Sequence, residues 1–158
     1  DRDFAHRREM NMYKYRLTHS YVVQDNQYET KSIGFFNTRM DCQAAIDKLI
    51  LQPGFYDYPD CFIVERMKVK GARRNDIIID LYEVYHEKVL DASESIVNYF
   101  GVFAKLELAE RKVKKLKIKT KFKDADCPDE EWKKDIEGFS IVKCVIGKIA
   151  WAEGFDSE

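Results

Sequence analysis

The sequence predicts an α+β fold: two tandem strand-strand-helix-strand repeats packed as a pseudo-two-fold dimer, with antiparallel sheets and the helices on one face. Three observations predict it. Residues 15–55 align with residues 82–122 at a constant offset of 67, without a gap. Each copy opens on a strand-like alternation and carries one apolar stripe at helical spacing. A half of about 65 residues buries too little surface to stand alone, so the two halves are expected to cover each other's apolar faces.

The anchors of the repeat are specific. Tyr15 matches Tyr82, Leu17 matches Val84, and His19 matches His86. Gly34 matches Gly101, Phe36 matches Phe103, and Phe55 matches Phe122. Beyond them the offset becomes 77, so the second copy carries ten extra residues before Phe139. Self-similarity of this kind decides an architecture before any single element does. The chain divides into a tail (1–12), a first repeat (13–70), a linker (71–76) and a second repeat (77–158) with a loop insertion near 125–138. Asp1 is not a natural initiator, and Met10 and Met12 both offer starts, so the tail is read as an appendage.

The first strand places Tyr13, Tyr15, Leu17, His19, Tyr21 and Val23 on one face, with Lys14, Arg16, Thr18 and Ser20 on the other. That alternation has the period of a strand. Asp25-Asn26 is a turn signal, and a second strand covers about Lys31 to Asn37. A helix follows, with Asn37 or Thr38 as its cap; Thr38 with Asp41 resembles a capping box. Cys42, Ala45, Ile46 and Leu49 lie along one helical face, and Pro53-Gly54 ends the segment. A third strand runs from Phe62 to Val69. The second copy repeats the order: strands at Ile77 to Leu90 and Ser95 to Phe103, a helix with the stripe Leu106, Ala109, Val113 and Leu116, and a last strand from Phe139 to Ile146. In the insertion, Asp129 to Glu137, with Trp132 and Ile136, suits one or two helical turns.

Composition narrows the class. Hydrophobic residues make up 45% of the 158, enough for a real core. Lys+Arg 27 against Asp+Glu 28 leaves a net charge of −1, which excludes a polybasic nucleic-acid tail and an acidic disordered chain. No apolar run reaches the roughly 18 residues of a membrane span, and no secretory signal opens the chain. Cys42, Cys61, Cys127 and Cys144 are too sparse for a disulfide scaffold and form no Cys-x-x-Cys pair. Free thiols in a reducing, cytoplasmic setting are the expectation.

Several residues together resemble a family of small bacterial domains of unknown function. The first copy reads Gly34-Phe-Phe-Asn-Thr, then Pro53-Gly54-Phe55-Tyr56-Asp57-Tyr58-Pro59-Asp60, then Phe62. The chain closes on Trp151-Ala152-Glu153-Gly154-Phe155. The family pattern is a Gly-aromatic strand, an Ala-rich helix, a Pro-Gly-Phe-x-Asp-x-Pro-Asp loop, a last strand and a terminal Trp-x-Glu-Gly-Phe. The first copy keeps the loop but has Arg74 where the Trp would sit; the second keeps the tail but lacks the Pro-Gly. The resemblance implies a fold and no catalytic residues. Small duplicated α+β proteins of this kind are also similar to bacterial immunity proteins, which bind and block a toxin, an analogy of type only.

Candidate site residues follow from pattern. His19 and His86 occupy equivalent positions, so a pseudo-symmetric core would set them face to face as a paired site. The plainer reading is a polar residue on a partly buried strand, hydrogen-bonded to a neighbour, because neither has an acid or thiol at ligand spacing. The acidic stretch Asp124, Asp126, Asp129, Glu130 and Glu131 fails as a calcium loop: Asp129 stands where Gly is required and Asp135 where Glu is. Arg111 to Lys123 holds eight basic residues in thirteen, Lys112, Lys115 and Lys119 among them. It offers either a phosphate-binding ridge or a solvated helix face. From residue 76 onward the chain has 14 basic and 18 acidic residues, which argues for the solvated face. Asp57 and Asp60 suit a turn, whereas Tyr56 and Tyr58 beside them suit a protein interface.

The functional expectation is therefore a non-enzymatic protein-binding module, a bacterial immunity protein that neutralises a cognate toxin. Binding would use Tyr56, Asp57, Tyr58 and Asp60. No catalytic residue, metal or cofactor is expected. The alternative is a nucleic-acid-associated regulator using the basic helix 111–123. A third reading is a small-molecule module in a cleft between the halves, near His19 and His86.

Overall fold

Alternation at period two forms the strands; the second and third run longer than expected, while the fourth starts three residues later than the expected Ile77. The computed structural model describes residues 10–24, 27–91, 94–119 and 138–150. In chain order these hold β1 (Asn11–Val22), β2 (Tyr28–Phe36), α1 (Arg39–Leu49), β3 (Phe62–Arg73), β4 (Asp80–Asp91), β5 (Glu94–Phe103), α2 (Leu106–Ile118) and β6 (Gly138–Val145). Thr38 caps α1: its backbone is extended and its hydroxyl accepts from the Asp41 N–H at 3.0 Å. The acid at Asp41 also suits the positive end of the helix dipole. Lys105 begins α2 with no side-chain cap.

The expectation of two antiparallel sheets packed as a pseudo-dimer, with helices on one face, is overturned. The fold is mostly β, and all six strands belong to one mixed, curled sheet in the order β2-β1-β3-β5-β4-β6. β3 and β5 join the halves in parallel through Val69 opposite Val102 and Lys70 opposite Phe103. The physical reason is that β3 does not stop at the expected linker. It continues through Gly71 to Arg73, and Gly71 adopts a φ of +84° that suits glycine. A Cβ there would sit 2.1 Å from Leu108 Cδ1, so the bare backbone also lets α2 approach. Edge pairing satisfies backbone groups that face-to-face packing would leave open.

The curl brings the far ends together. Gly147 N–H donates to the Phe35 carbonyl and Ala150 N–H to the Ile33 carbonyl, each at 2.8 Å. At this seam a Cβ on Gly34 would meet the Lys148 carbonyl oxygen at 2.6 Å, so only glycine admits the approach. A register skip opposite Leu17 and Thr18 leaves Ile33 without a partner on β1 and bends β2 there.

Both faces of the sheet are consequently apolar. Consecutive strand residues point to opposite faces. Phe36 joins Leu17, Cys42, Ala45, Leu49 and Phe55 under α1, whereas Phe35 joins Met12, Val69, Leu81 and Val102 inside the curl. Phe103 packs with Val84 and Ala109 under α2, while its neighbour Val102 faces the interior. The polar-looking face of β1 is thus interior, and Thr18 on it is buried.

The Asp25-Asn26 turn, residues 1–9 of the tail and the closing Trp151 to Phe155 lie outside the described residues. So do Lys121, Lys123, the acidic Asp124 to Glu131 stretch and Trp132 in the insertion.

Candidate functional site

Inside the curl the apolar cluster gives way to a charged one. β1 is the middle strand between β2 and β3, and β4 the middle strand between β5 and β6. Arg16 on β1 and Glu83 on β4 meet across the interior, Arg16 Nε lying 3.5 Å from Glu83 Oε2. Glu83 is 1% exposed. Its Oε2 accepts from the Tyr85 hydroxyl at 2.7 Å, and its Oε1 from the Cys144 thiol at 3.0 Å. Arg16 donates through Nη2 to the Tyr85 oxygen at 3.3 Å and lies over the Tyr99 ring, 4.3 Å from its centroid. The Tyr99 hydroxyl is buried without a hydrogen-bond partner, as is Arg16 Nε.

The electrostatics follow from one carboxylate surrounded by donors. Burial, then the Glu83 charge, push the Tyr85 hydroxyl up to about 12. Burial and the hydrogen bond to Glu83 likewise push the Cys144 thiol up to about 12. Tyr99 is raised by burial and by Glu83. Burial alone would lower the Arg16 guanidinium, yet Tyr85, Tyr99 and Glu83 together hold it above its ordinary value. These shifts keep every donor protonated. They run opposite to what an activated thiolate or phenolate requires.

Two outcomes follow. Cys61 and Cys144 are both half-exposed, but the Cys144 thiol is held protonated, so it is expected to resist alkylation at neutral pH and to react after Cys61. Timed iodoacetamide labelling with peptide mapping checks this; fast labelling of Cys144 in the folded chain would contradict the cluster. Stability is also expected to fall as pH climbs. Tyr85 and Cys144 ionise in the unfolded chain near 10 and 9 but in the folded chain only near 12. The unfolded state therefore sheds protons first, and stability present below pH 9 is lost between pH 9 and about 12. Urea midpoints at pH 8, 10 and 11 measure it, and Tyr85→Phe should flatten the decline.

The cluster borders a cavity of about 590 Å³ at the seam between β2 and β6. Glu83, Tyr85 and Cys144 form its floor, Ile33, Val142, Ile149 and Ala150 apolar walls, and Lys148 lies at its edge, while the Lys143 ammonium turns to Asp80 on the other face of β6. Of two larger hollows, one is lined by Lys14, Arg66 and Arg74 without an acid, and the other by Asp76, Asp80, Lys105 and Glu107.

The structure places the sequence-derived candidates apart from this centre. His19 is fully buried, and its Nε2–H donates to the Tyr58 carbonyl at 3.0 Å. Because a carbonyl only accepts, that contact assigns the proton to Nε2. Phe55 and Phe62 pack on its ring at 4.8 and 4.7 Å. His86 is buried beside Phe139, ring centroids 4.6 Å apart. The two histidines sit in separate surroundings, so the face-to-face pair is not formed, and the plainer reading describes His19. What meets instead is Arg16 with Glu83, also 67 residues apart. Opposite charges at equivalent positions of the two opening strands were the available signal.

Tyr56, Asp57, Tyr58 and Asp60 are exposed. The Tyr58 ring stacks on Tyr21 at 4.0 Å and 10°, and Tyr21 donates to Glu29 at 2.8 Å. On α2 Lys115 is exposed and Lys112 half-buried; Lys119, just past its end, is exposed. Burial, then Lys112 and Lys68, lower the Lys70 amine, which shows cations crowded at that place. Among the described residues no three of His, Cys, Asp and Glu are grouped to hold a metal, and no helix is long and apolar enough to cross a membrane. No family model, no curated protein and no solved structure matches the chain.

Proposed function

We propose that the chain is a non-enzymatic protein-binding module whose contact surface is the aromatic platform at the β1–β2 hairpin and the 53–61 loop. The observation that carries this reading is the exposed Tyr58 ring stacked on the half-buried Tyr21, with the exposed Tyr56 on the same loop. Val22, Val23 and Tyr28 extend exposed apolar surface at the hairpin. His19 holds the loop from beneath through the Tyr58 carbonyl. Rigid tyrosines lose little entropy on binding, and they recur among residues that dominate interface energies. By the immunity-protein analogy the partner is a toxin in a bacterial cytoplasm, blocked by occlusion. The alternative is nucleic acid on α2, favoured by the crowding of Lys68, Lys70 and Lys112.

The test compares the full chain with its Tyr56→Ala/Tyr58→Ala variant in source-cell lysate, nuclease-treated and untreated in parallel, at two salt concentrations. One stoichiometric protein, retained by the parent chain and lost from the variant, is the expected result. The two substitutions together should cost about 2 kcal/mol or more of binding. Bound RNA or DNA that disappears with nuclease and salt, and with Lys112, Lys115 and Lys119 changed to Glu, would replace this reading with the alternative. Equal capture by parent and variant would sink the platform.

A further inference from the structure

We infer that the cavity between β2 and β6 is a binding site for a small amphipathic molecule, with a hydroxyl or N–H donor at one end and an anionic group at the other. The inference is independent of the aromatic platform, which lies on other residues.

Size and walls set the first limit. About 590 Å³ falls within the range of small-molecule sites, roughly 300–1,000 Å³. Ile33, Val142 and Ile149 give the body of a ligand apolar contact. The seam is pre-formed: Gly147 and Ala150 are hydrogen-bonded to β2, and the Gly34 approach to the Lys148 carbonyl holds the chain there.

The floor selects a donor. A carboxylate has about four lone-pair positions and donates nothing when ionised. Tyr85 occupies one on Glu83 and the weakly donating Cys144 another. Arg16 Nε, at 3.5 Å, lies beyond good hydrogen-bond distance. The Tyr99 hydroxyl also acts on Glu83, so the carboxylate keeps about one acceptor position towards the cavity it lines. An acceptor or anion at the floor is repelled, and a ligand donor is accepted in a low-dielectric place where the bond is strong.

One lysine selects the opposite end. Lys143 reaches Asp80 at 3.6 Å on the other face of β6 and does not serve the cavity. Lys148 makes no ion pair among the described residues. An anionic group near Lys148 meets an uncompensated cation, while a second cation would be disfavoured there.

The probe is 8-anilinonaphthalene-1-sulfonate, which carries an N–H, apolar rings and a sulfonate, titrated into the folded full chain. Saturable one-to-one binding is expected. Lys148→Glu should weaken it about tenfold or more, and Val142→Trp should abolish it by filling the cavity. Near-UV circular dichroism and urea midpoints separate this from binding to a loosened core. A second pair of probes reads the floor: 2-naphthol should bind about tenfold or more tightly than 2-methoxynaphthalene. Unsaturable fluorescence, an unaltered affinity in Lys148→Glu, or equal binding of the two naphthalenes would overturn the inference. Should Val142→Trp fail to fold, the Lys148 variant and the naphthalene pair still decide it.

Discussion

Replacing Glu83 with glutamine is expected to cost the fold about 3–5 kcal/mol, because it leaves a buried guanidinium without its counter-charge. The Arg16 side chain is only 15% exposed, so water compensates little. Glutamine keeps the shape of the side chain, which isolates the electrostatic part of the effect from cavity formation. The pair itself is not the source of net stability, since taking two charges out of water costs about as much as their attraction returns. Arg16→Met with Glu83→Leu should therefore recover most of the loss. Urea unfolding of the parent, the Glu83→Gln variant and the double variant measures all three. A glutamine variant within about 1 kcal/mol of the parent would show that the interior is wetter than its burial implies.

Phe55→Ala is expected to cost about 3–5 kcal/mol and to disable the aromatic platform as well. Phe55 is fully buried beneath α1 and touches the rings of His19 and Phe62. Its carbonyl also accepts from the Tyr58 N–H at 3.0 Å, so the anchor and the exposed ring belong to one turn. Loss of the ring leaves a cavity under that turn and frees Tyr58 from Tyr21. Limited proteolysis should then cut within 53–61 at a protease concentration that spares the parent chain. Phe55→Leu, which refills much of the volume, should restore both stability and resistance. Cleavage unchanged in the alanine variant would show that the loop is held by its backbone hydrogen bonds alone.

Local chemistry was readable from residues because it is decided locally. The Thr38 cap depends on one hydroxyl and a backbone N–H three residues on. The stripe Cys42, Ala45 and Leu49 is buried where helical spacing puts it, and Ala109 and Leu116 likewise on α2. The loop at Tyr56 and Tyr58 was legible as exposed aromatic surface, though its attachment through His19 was not. The strand limits were less readable. β3 runs four residues beyond the expected Val69, because pairing with β5 at Lys70 and with β1 at Arg73 extends it where local propensity would end it.

The amino-acid sequence by itself determined the strands, the two helices, the cap of the first and which residues alternate along each strand. It could not determine what lies opposite each face. Lys14, Arg16, Thr18 and Ser20 alternate with Tyr15, Leu17 and His19 in the same way whether they meet water or another strand. Only the tertiary structure decided that, by joining β3 to β5 and returning the chain after β6 to β2. The physical reason is that sheet closure is a matter of non-local backbone hydrogen bonds, which carry no side-chain signature. Once the sheet curls, a charged residue on its inner face must find its partner there, and Arg16 finds Glu83.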